Sequence, residues 1–321
     1  MPIYDKLALG KKAREHGFVR DAFEKMSRLT EILHYINTEP EFGLTLALKG
    51  GTAINLTMFN LPRLSVDLDL DFTESLTRDE MSAKRVRINE RLKRFMTSEG
   101  YMLKEKTRYT HALDSLVYSY ANAAGSPDNL KIEINYLLRS HILVPNVLKT
   151  RTEGVFVDFT VRMLSPVELF ASKIVALSDR AAARDLYDLN NMIIFNIFNE
   201  SELKLLRKCA VFYHTIAGNK EQGFNFKKLD TISARVVRTD LLPMIRNAKR
   251  FDLQEARERV SAFLNERMAL TEKESAFLKH FTTGRYEPQL LFEDNEIIKR
   301  IENHPMLIWR LQHIRQEQGA R

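Results

Sequence analysis

The chain has 321 residues, of which 44% are hydrophobic and 28% charged, a composition typical of a globular protein and not of a disordered chain or a repeat array. The formal net charge of +7 favours a polyanionic partner, although many basic proteins bind no nucleic acid. No apolar run approaches the roughly 20 residues of a membrane-spanning helix, and the N-terminal residues lack the apolar core of a signal peptide. The single cysteine, Cys209, cannot form an internal disulfide, so we expect a buried thiol in a protein of the reducing cytoplasm.

Helix is predicted for most of the N-terminal segment, because apolar residues recur every three or four positions from Val19 to Ile36. The period then changes to that of a strand. Leu44–Lys49 is a short apolar run, and Ser65–Phe72 alternates strictly between polar and apolar residues. Residues 53–59, between these strands, are expected to form about two turns of helix.

A charged helix is predicted over Glu80–Glu99, and three strand candidates follow it. These candidates are Ser115–Tyr120, Leu130–Leu137 and Val155–Met163. Ser165 and Pro166 then indicate a strong helix start, where Ser165 is expected to cap the helix and Glu168 to complete a capping box.

Beyond residue 190 the sequence shows helical periodicity and almost no strand alternation. Thr271 and Glu274 are predicted to form a capping box there, and Asp252 is predicted to cap the stretch 253–268. We therefore predict an α+β protein with three parts, which are a helical N-terminal segment (1–40), a core with a mixed sheet (41–190) and a large helical C-terminal domain (191–321).

Paired carboxylates on the second strand are the strongest sign of a chemical site. Because alternate residues of a strand share a face, Asp67 and Asp69 project side by side, roughly 6–7 Å apart at the backbone. Such carboxylates repel and resist ionisation unless a cation lies between them, and hard oxygen ligands in this arrangement suit Mg²⁺. Asp71 continues the acidic face and is expected to extend the strand into solvent.

A glycine pair ahead of these carboxylates predicts a phosphate site. Gly50 and Gly51 end a strand and permit close approach of a ligand to the backbone, and Thr52 is predicted to cap the following helix. The free N–H groups at a helix N-terminus favour phosphate. Gly-Gly-Thr alone is a weak signal, but it becomes more specific when Ser-x-Asp-x-Asp follows it.

Two stretches, Lys49–Asn55 and Leu61–Phe72, closely resemble the AbiEii/AbiGii toxin family, whose members are nucleotidyltransferase-fold toxins of abortive-infection and toxin–antitoxin systems. The similarity extends to other motifs, which are Ser165–Glu168, Ala171–Leu177, Arg184–Asp188, Phe292–Asp294 and Asn303–Pro305. It thus covers nearly the whole chain, although the specific motifs lie between residues 49 and 188.

The resemblance implies two overlapping sets of site residues. Those expected to hold the triphosphate of an NTP are Gly50, Gly51, Thr52, Arg63, Ser65 and Lys173. Those expected to act in catalysis are Asp67, Asp69, Lys173 and Asp185, and the resemblance leaves open whether Asp185 is the base. Asp67 and Asp69 are the expected ligands of Mg²⁺ or Mn²⁺.

The resemblance also implies transfer of a nucleoside monophosphate from an NTP to an acceptor hydroxyl, with release of pyrophosphate. The expected acceptor is the 3′ end of tRNA, and an antitoxin from a neighbouring gene would restrain the resulting growth arrest. The same chemistry on a protein or small-molecule acceptor is an alternative, as is a catalytically silent module that binds NTP or a partner. The joint presence of all the site residues favours an enzyme.

The spacing of Lys173 and Asp185 constrains the backbone. Twelve residues on one straight helix would separate them by about 18 Å, so they can share a site only if the helix breaks. A break is predicted at 178–180, with Ser178 or Asp179 capping the second helix. The alternatives are a Lys173 side chain that reaches bulk solvent and a solvated helix face that carries Asp185.

Glu133 is a candidate for a third metal ligand, because its strand alternates and places it on one face with Lys131 and Asn135. The alternative is an ordinary solvated carboxylate.

Basic residues concentrate in the C-terminal helices. They are Arg235, Arg238, Arg246, Lys249, Arg250, Arg257, Arg259 and Arg267. They could bind the phosphate backbone of RNA or could form an ordinary solvated face, and both interpretations stay open.

Overall fold

The computed structural model describes residues 5–218, 223–246 and 251–319. The chain divides into two compact units. The first comprises Met1–Arg139, Pro145–Leu164 and Pro243–Ala248, and the second comprises Ser140–Val144, Ser165–Leu242 and Lys249–Arg321. The N-terminal segment therefore shares a unit with the sheet, and residues 165–190 belong with the C-terminal helices.

The helices in the described part of the first unit are α1 (Lys6–Glu15), α2 (Arg20–Thr38), α3 (Pro40–Gly43), α4 (Gly50–Thr57) and α5 (Arg78–Ser98). The predicted N-terminal helix is confirmed in α2, whose apolar stripe buries Phe23, Met26 and Leu29. The charged helix is confirmed as α5, which begins at a capping box between Thr77 and Glu80.

Eight strands of the described residues form one mixed sheet in the first unit. They are β1 (Leu46–Lys49), β2 (Asp67–Phe72), β3 (Met102–Leu103), β4 (Arg108–Tyr109), β5 (Leu113–Ala121), β6 (Pro127–Asn135), β7 (Asn146–Lys149) and β8 (Thr160–Met163). Their order is β3-β5-β6-β2-β1-β8-β7, and β4 pairs with β5. β2 pairs antiparallel with β1 and parallel with β6, so it is an interior strand.

The strand predicted over Val155–Met163 is wrong in its first half, because β8 begins only at Thr160. The Thr152 hydroxyl accepts a hydrogen bond from the Phe156 N–H at 3.2 Å and donates one to the Phe156 carbonyl at 2.9 Å. This local turn takes the backbone hydrogen bonds that a strand would need.

The second unit is helical throughout its described residues beyond 165. Its α-helices are α6 (Pro166–Arg180), α7 (Ala183–Ile194), α8 (Glu200–Ile216), α9 (Ala234–Val236), α10 (Leu253–Arg267), α11 (Glu272–Thr282), α12 (Asn295–Ile301) and α13 (Pro305–Gly319). Cys209 is fully buried on α8, as predicted. The mixed sheet and these helices confirm the predicted α+β class.

The helix start predicted at Ser165–Pro166 is confirmed in position, because α6 begins at Pro166 with Ser165 as its N-cap residue. The caps predicted for the two later helices are confirmed as well. Asp252 caps α10 by accepting from the Glu255 N–H, and Thr271 and Glu274 form the capping box of α11. The capping box predicted at Ser165 is wrong, because the Ser165 side chain makes no cap hydrogen bond. Glu168 is instead fully buried and accepts hydrogen bonds from the backbone N–H groups of residues 142 and 143, at 2.8 and 3.0 Å.

A buried ion pair joins α5 to β5 and gives a first prediction. Asp114 is fully buried and accepts hydrogen bonds from Arg85 Nε at 3.1 Å and Asn89 Nδ2 at 2.7 Å. Because Asp114→Ala leaves the Arg85 charge without its carboxylate, we expect it to lower the free energy of unfolding by about 3–5 kcal/mol. Urea denaturation beside Asp79→Ala, at an exposed position of α5, measures the loss. Equal stability of the two variants would contradict the expectation.

Candidate active site

The glycine turn lies at the junction of β1 and α4. Gly50 has a φ of +70°, and a Cβ at this position would lie 2.6 Å from Asp69 Oδ2. Glycine is therefore needed here both for the backbone conformation and for the space beside Asp69. The prediction that Thr52 caps the helix is wrong, because α4 already begins at Gly50. The Thr52 hydroxyl instead donates to the Asp67 carbonyl at 2.6 Å and ties α4 to β2.

Asp67 and Asp69 lie on β2, and neighbouring strands place charged residues beside Asp69. Its register partners are Lys49 on β1 and Glu133 on β6. Burial raises the pKa of Asp69, and the charges of Asp67 and Glu133 raise it further, whereas the charge of Lys49 opposes the rise. The three carboxylates therefore form a negatively charged group on one face of the sheet.

The alternation led us to expect that Asp71 extends the strand into solvent, and this prediction is wrong. Its side chain is 1% exposed and pairs with Lys49 Nζ at 2.5 Å. The physical reason is that β2 is an interior strand, so that a carboxylate near its end is covered and needs a counterion. Lys49 thus belongs to the candidate site by its contact with Asp71 and its charge beside Asp69, although the motif only placed it directly before Gly50.

Glu133 lies beside Asp69, but its carboxylate also forms an ion pair with a lysine of the same strand. Lys131 Nζ lies 2.8 Å from Glu133 Oε1. Although burial opposes the shift, the hydrogen bond to Glu133 and the charges of Glu133, Asp67 and Asp69 raise the pKa of Lys131. Lys131 therefore carries a positive charge beside the carboxylates, and a role of Glu133 as a metal ligand stays a prediction.

The donor set fits Mg²⁺ bound in part by its substrate. Within the described residues, no group of three or more histidine, cysteine or acidic side chains is arranged to hold a metal ion. Mg²⁺ is usually bound by only one or two protein carboxylates together with substrate phosphates. Asp67 and Asp69 supply such a pair, and the missing Cβ of Gly50 lets the Asp69 carboxylate lie close to the glycine turn.

Arg63 and Ser65 lie against the second glycine of the turn. A Cβ at Gly51 would overlap the Arg63 guanidinium and would lie 3.1 Å from Ser65 Oγ. Arg63 is 1% exposed, and its Nη1 donates to the Leu64 carbonyl at 2.9 Å. The structure therefore brings together three residues that the resemblance assigns to the triphosphate.

This overlap gives a second prediction. Gly51→Ala must displace the Arg63 guanidinium, and a misplacement of about 1 Å in a binding site can cost about 100-fold in activity. We expect kcat/KM for the NTP to fall by about that factor. Gly10→Ala on α1 is the control, because a Cβ there meets atoms only at 3.6 Å or more. Equal kinetics of the two variants would contradict the expectation.

Lys173 and Asp185 meet in the second unit, where the helix breaks as their spacing required. Lys173 Nζ lies 2.6 Å from Asp185 Oδ1 and 3.0 Å from Asp188 Oδ2. The break lies at Ala181, whose φ is +48°, and neither Ser178 nor Asp179 caps α7, so that part of the prediction was wrong.

The two alternatives for this pair are excluded by burial. The Lys173 side chain is 11% exposed, and those of Asp185 and Asp188 are 2% and 0% exposed. Arg180 also donates to Asp185 Oδ2, from Nη2 at 2.9 Å. Although burial opposes the shift, the charges of Lys173 and Arg180 lower the pKa of Asp185. Asp188 and Arg180 are members of this cluster that motif spacing alone did not assign.

Several of the basic residues in the C-terminal helices have intramolecular partners. Arg259 Nη1 donates to Asn190 Oδ1 at 2.7 Å, and Arg267 Nη1 pairs with Glu200 Oε2 at 2.9 Å. Arg235 and Arg238 are exposed, and Lys249 and Arg250 lie outside the described residues. An RNA-binding role for this group stays a prediction.

The sheet, its glycine turn and its paired carboxylates are the features that the sequence analysis expected of a nucleotidyltransferase. The family model for the nucleotidyl transferase AbiEii toxin of type IV toxin–antitoxin systems matches residues 32–289. The chain therefore belongs to this family, which confirms the resemblance seen in the motifs and the prediction of an enzyme. The family also implies an antitoxin as partner.

A solved structure supports the fold. The chain is similar to MenT4, a nucleotidyltransferase toxin from Mycobacterium tuberculosis H37Rv, with a TM-score of 0.63 and 17% sequence identity over 96% of this chain and 99% of that one. No curated protein matches the sequence. None of the helices in the described part of the chain has the length and apolarity needed to span a bilayer.

Proposed function

We propose that this toxin transfers a nucleoside monophosphate from an NTP to the 3′ hydroxyl of tRNA. The observation that carries the proposal is the pair of neighbouring carboxylates, Asp67 and Asp69, of which Asp69 lies directly against the glycine turn at Gly50. In the reaction the acceptor oxygen bonds to the α-phosphorus, the bond from the α-phosphorus to the bridging oxygen of the β-phosphate breaks, and pyrophosphate leaves.

Asp67 and Asp69 are the residues that would hold Mg²⁺ or Mn²⁺. An ion held by these two carboxylates would lower the pKa of the attacking hydroxyl and would neutralise charge on the leaving pyrophosphate. The raised pKa of Asp69 supports this role, because neighbouring carboxylates that resist ionisation gain most from a bound cation.

The glycine turn, Arg63 and Ser65 would hold the triphosphate. The backbone N–H groups at the start of α4 and the Arg63 guanidinium are donors suited to phosphate oxygens. The family resemblance adds Lys173 for the phosphates and Asp185 for catalysis. Their ion pair in the second unit supports a shared role for them.

A tRNA acceptor is supported by charge and by family resemblance. The sequence pI is about 9.3, and Arg235 and Arg238 are exposed for contacts with an RNA backbone. Addition of nucleotides to tRNA would arrest growth, and the antitoxin would restrain the enzyme.

The test incubates the protein with total tRNA, Mg²⁺ and each α-labelled NTP in turn. Label that runs with RNA and is lost when Mg²⁺ is chelated is the expected result. Label that runs with a polypeptide would show that the acceptor is a protein and that the transfer chemistry is as proposed. Absence of label with all four NTPs, on both RNA and protein, would contradict the proposal.

A further inference from the structure

A late segment of the chain belongs to the first unit and pairs beside the glycine turn. Residues 243–246, here termed the clamp segment, lie in the first unit. The residues that directly precede them, Ser165–Leu242, belong to the second unit. Ile245 forms an antiparallel bridge with Arg63. The Leu64 N–H donates to the Met244 carbonyl at 2.8 Å, and the Arg246 N–H donates to the Pro62 carbonyl at 2.8 Å. The clamp segment thus forms backbone hydrogen bonds with the residues directly before and after Arg63.

The side chain of Arg246 anchors the clamp segment. Its Nε donates to the His16 carbonyl at 3.0 Å, and its Nη1 pairs with Glu153 Oε2 at 2.9 Å. Its guanidinium carbon also lies 5.9 Å from the centre of the Phe18 ring. Arg246, which the sequence placed among the candidates for RNA binding, therefore forms its ion pair within the first unit.

The clamped residues position the two side chains that lie at Gly51. Arg63 is buried with its guanidinium beside Gly51, and Ser65 directly follows the clamped Leu64. A loop held by backbone hydrogen bonds on both sides loses less freedom when a ligand binds, so its binding groups are preorganised.

We propose that the clamp segment positions Arg63 and Ser65 for the triphosphate, with Arg246 as a positioning residue. The proposal rests on the proposed function, because it assigns the Arg63–Ser65 segment to the NTP. It gives Arg246 a role in nucleotide affinity and none in contact with RNA.

The test measures the affinity of each NTP with Mg²⁺ and without RNA. Arg246→Ala and Glu153→Ala are both expected to weaken NTP binding. Arg246→Ala should weaken it by about five- to tenfold, the cost of ordering one side chain that is no longer preorganised. Arg246→Lys keeps the charge and one donor and should restore part of the affinity. Arg78→Ala, which removes an exposed arginine from the same unit, should leave NTP affinity unchanged. Unchanged NTP affinity in Arg246→Ala, with weaker binding of tRNA, would overturn the proposal.

Hydrogen exchange separates failure of the clamp from failure of the proposed function. Arg246→Ala is expected to speed amide exchange of Leu64, whose N–H bonds to the clamp segment. A wild-type protein that binds no NTP would count against the proposed function, and the exchange rates would still show whether the clamp holds the loop. Unchanged protection of Leu64 in Arg246→Ala would overturn the clamp itself.

Discussion

Replacing Asp67 and Asp69 together by asparagine is expected to lower nucleotidyl transfer by at least about 1,000-fold while the protein stays folded. These are the carboxylates proposed to hold the metal ion, whose charge stabilisation in a transition state is worth several kcal/mol. The asparagines keep the shape of the side chains, so the pairing of β2 with β1 and β6 should persist.

The Asp69→Asn substitution is expected to raise the free energy of unfolding while it lowers activity. The pKa of Asp69 is raised by burial and by neighbouring carboxylates, so the folded state holds its proton more tightly than the unfolded chain does. The ionised form at neutral pH therefore costs stability, and that cost grows as pH rises through the unfolded-state pKa to the folded-state pKa. Asp69→Asn removes the cost and should raise the free energy of unfolding at neutral pH.

The measurement combines transfer of labelled NMP with urea denaturation at pH 7. Asp79→Asn, at an exposed position of α5, is the control and should match the wild type in both. Substantial transfer by the folded double variant would show that these carboxylates do not carry the chemistry. Lower stability of Asp69→Asn would show that the carboxylate is favourably compensated in the fold.

Lys173→Met is expected to lower both stability and activity. Lys173 compensates the buried carboxylates of Asp185 and Asp188, and removing one partner of a buried ion pair typically costs about 3–5 kcal/mol. Arg180 still contacts Asp185, which limits the part of the loss that comes from that carboxylate. Activity should fall as well, because the family resemblance assigns Lys173 to the phosphates.

A second substitution separates these two effects. Adding Asp188→Asn to Lys173→Met removes one of the two buried carboxylates that face the lost ammonium group. It should restore part of the free energy of unfolding without restoring transfer. Lys204→Met, at an exposed position of α8, is the control. Recovery of transfer together with stability would show that Lys173 acts only in folding, and wild-type stability of Lys173→Met would contradict the buried ion pair.

The elements that the sequence predicted well are those with a strong local period. The apolar stripe of α2 and the strict alternation of β2 set the element type and the buried face before any tertiary contact is known. The strands β3 and β4 were missed because two residues are too few to show a period, and β7 was missed because this largely exposed edge strand has no buried apolar face.

The sequence by itself determined which residues form the candidate active site, and the tertiary structure decided which partners surround them. Adjacent residues with fixed spacing identified the glycine turn, the paired carboxylates and the need for a helix break between Lys173 and Asp185. The burial of Asp71, the backbone partners of Glu168 and the clamp on Arg63 depend on segments far away in the chain. A local pattern records which face a side chain occupies, but whether that face is covered, and by which charge, is set only when distant strands and helices pack against it.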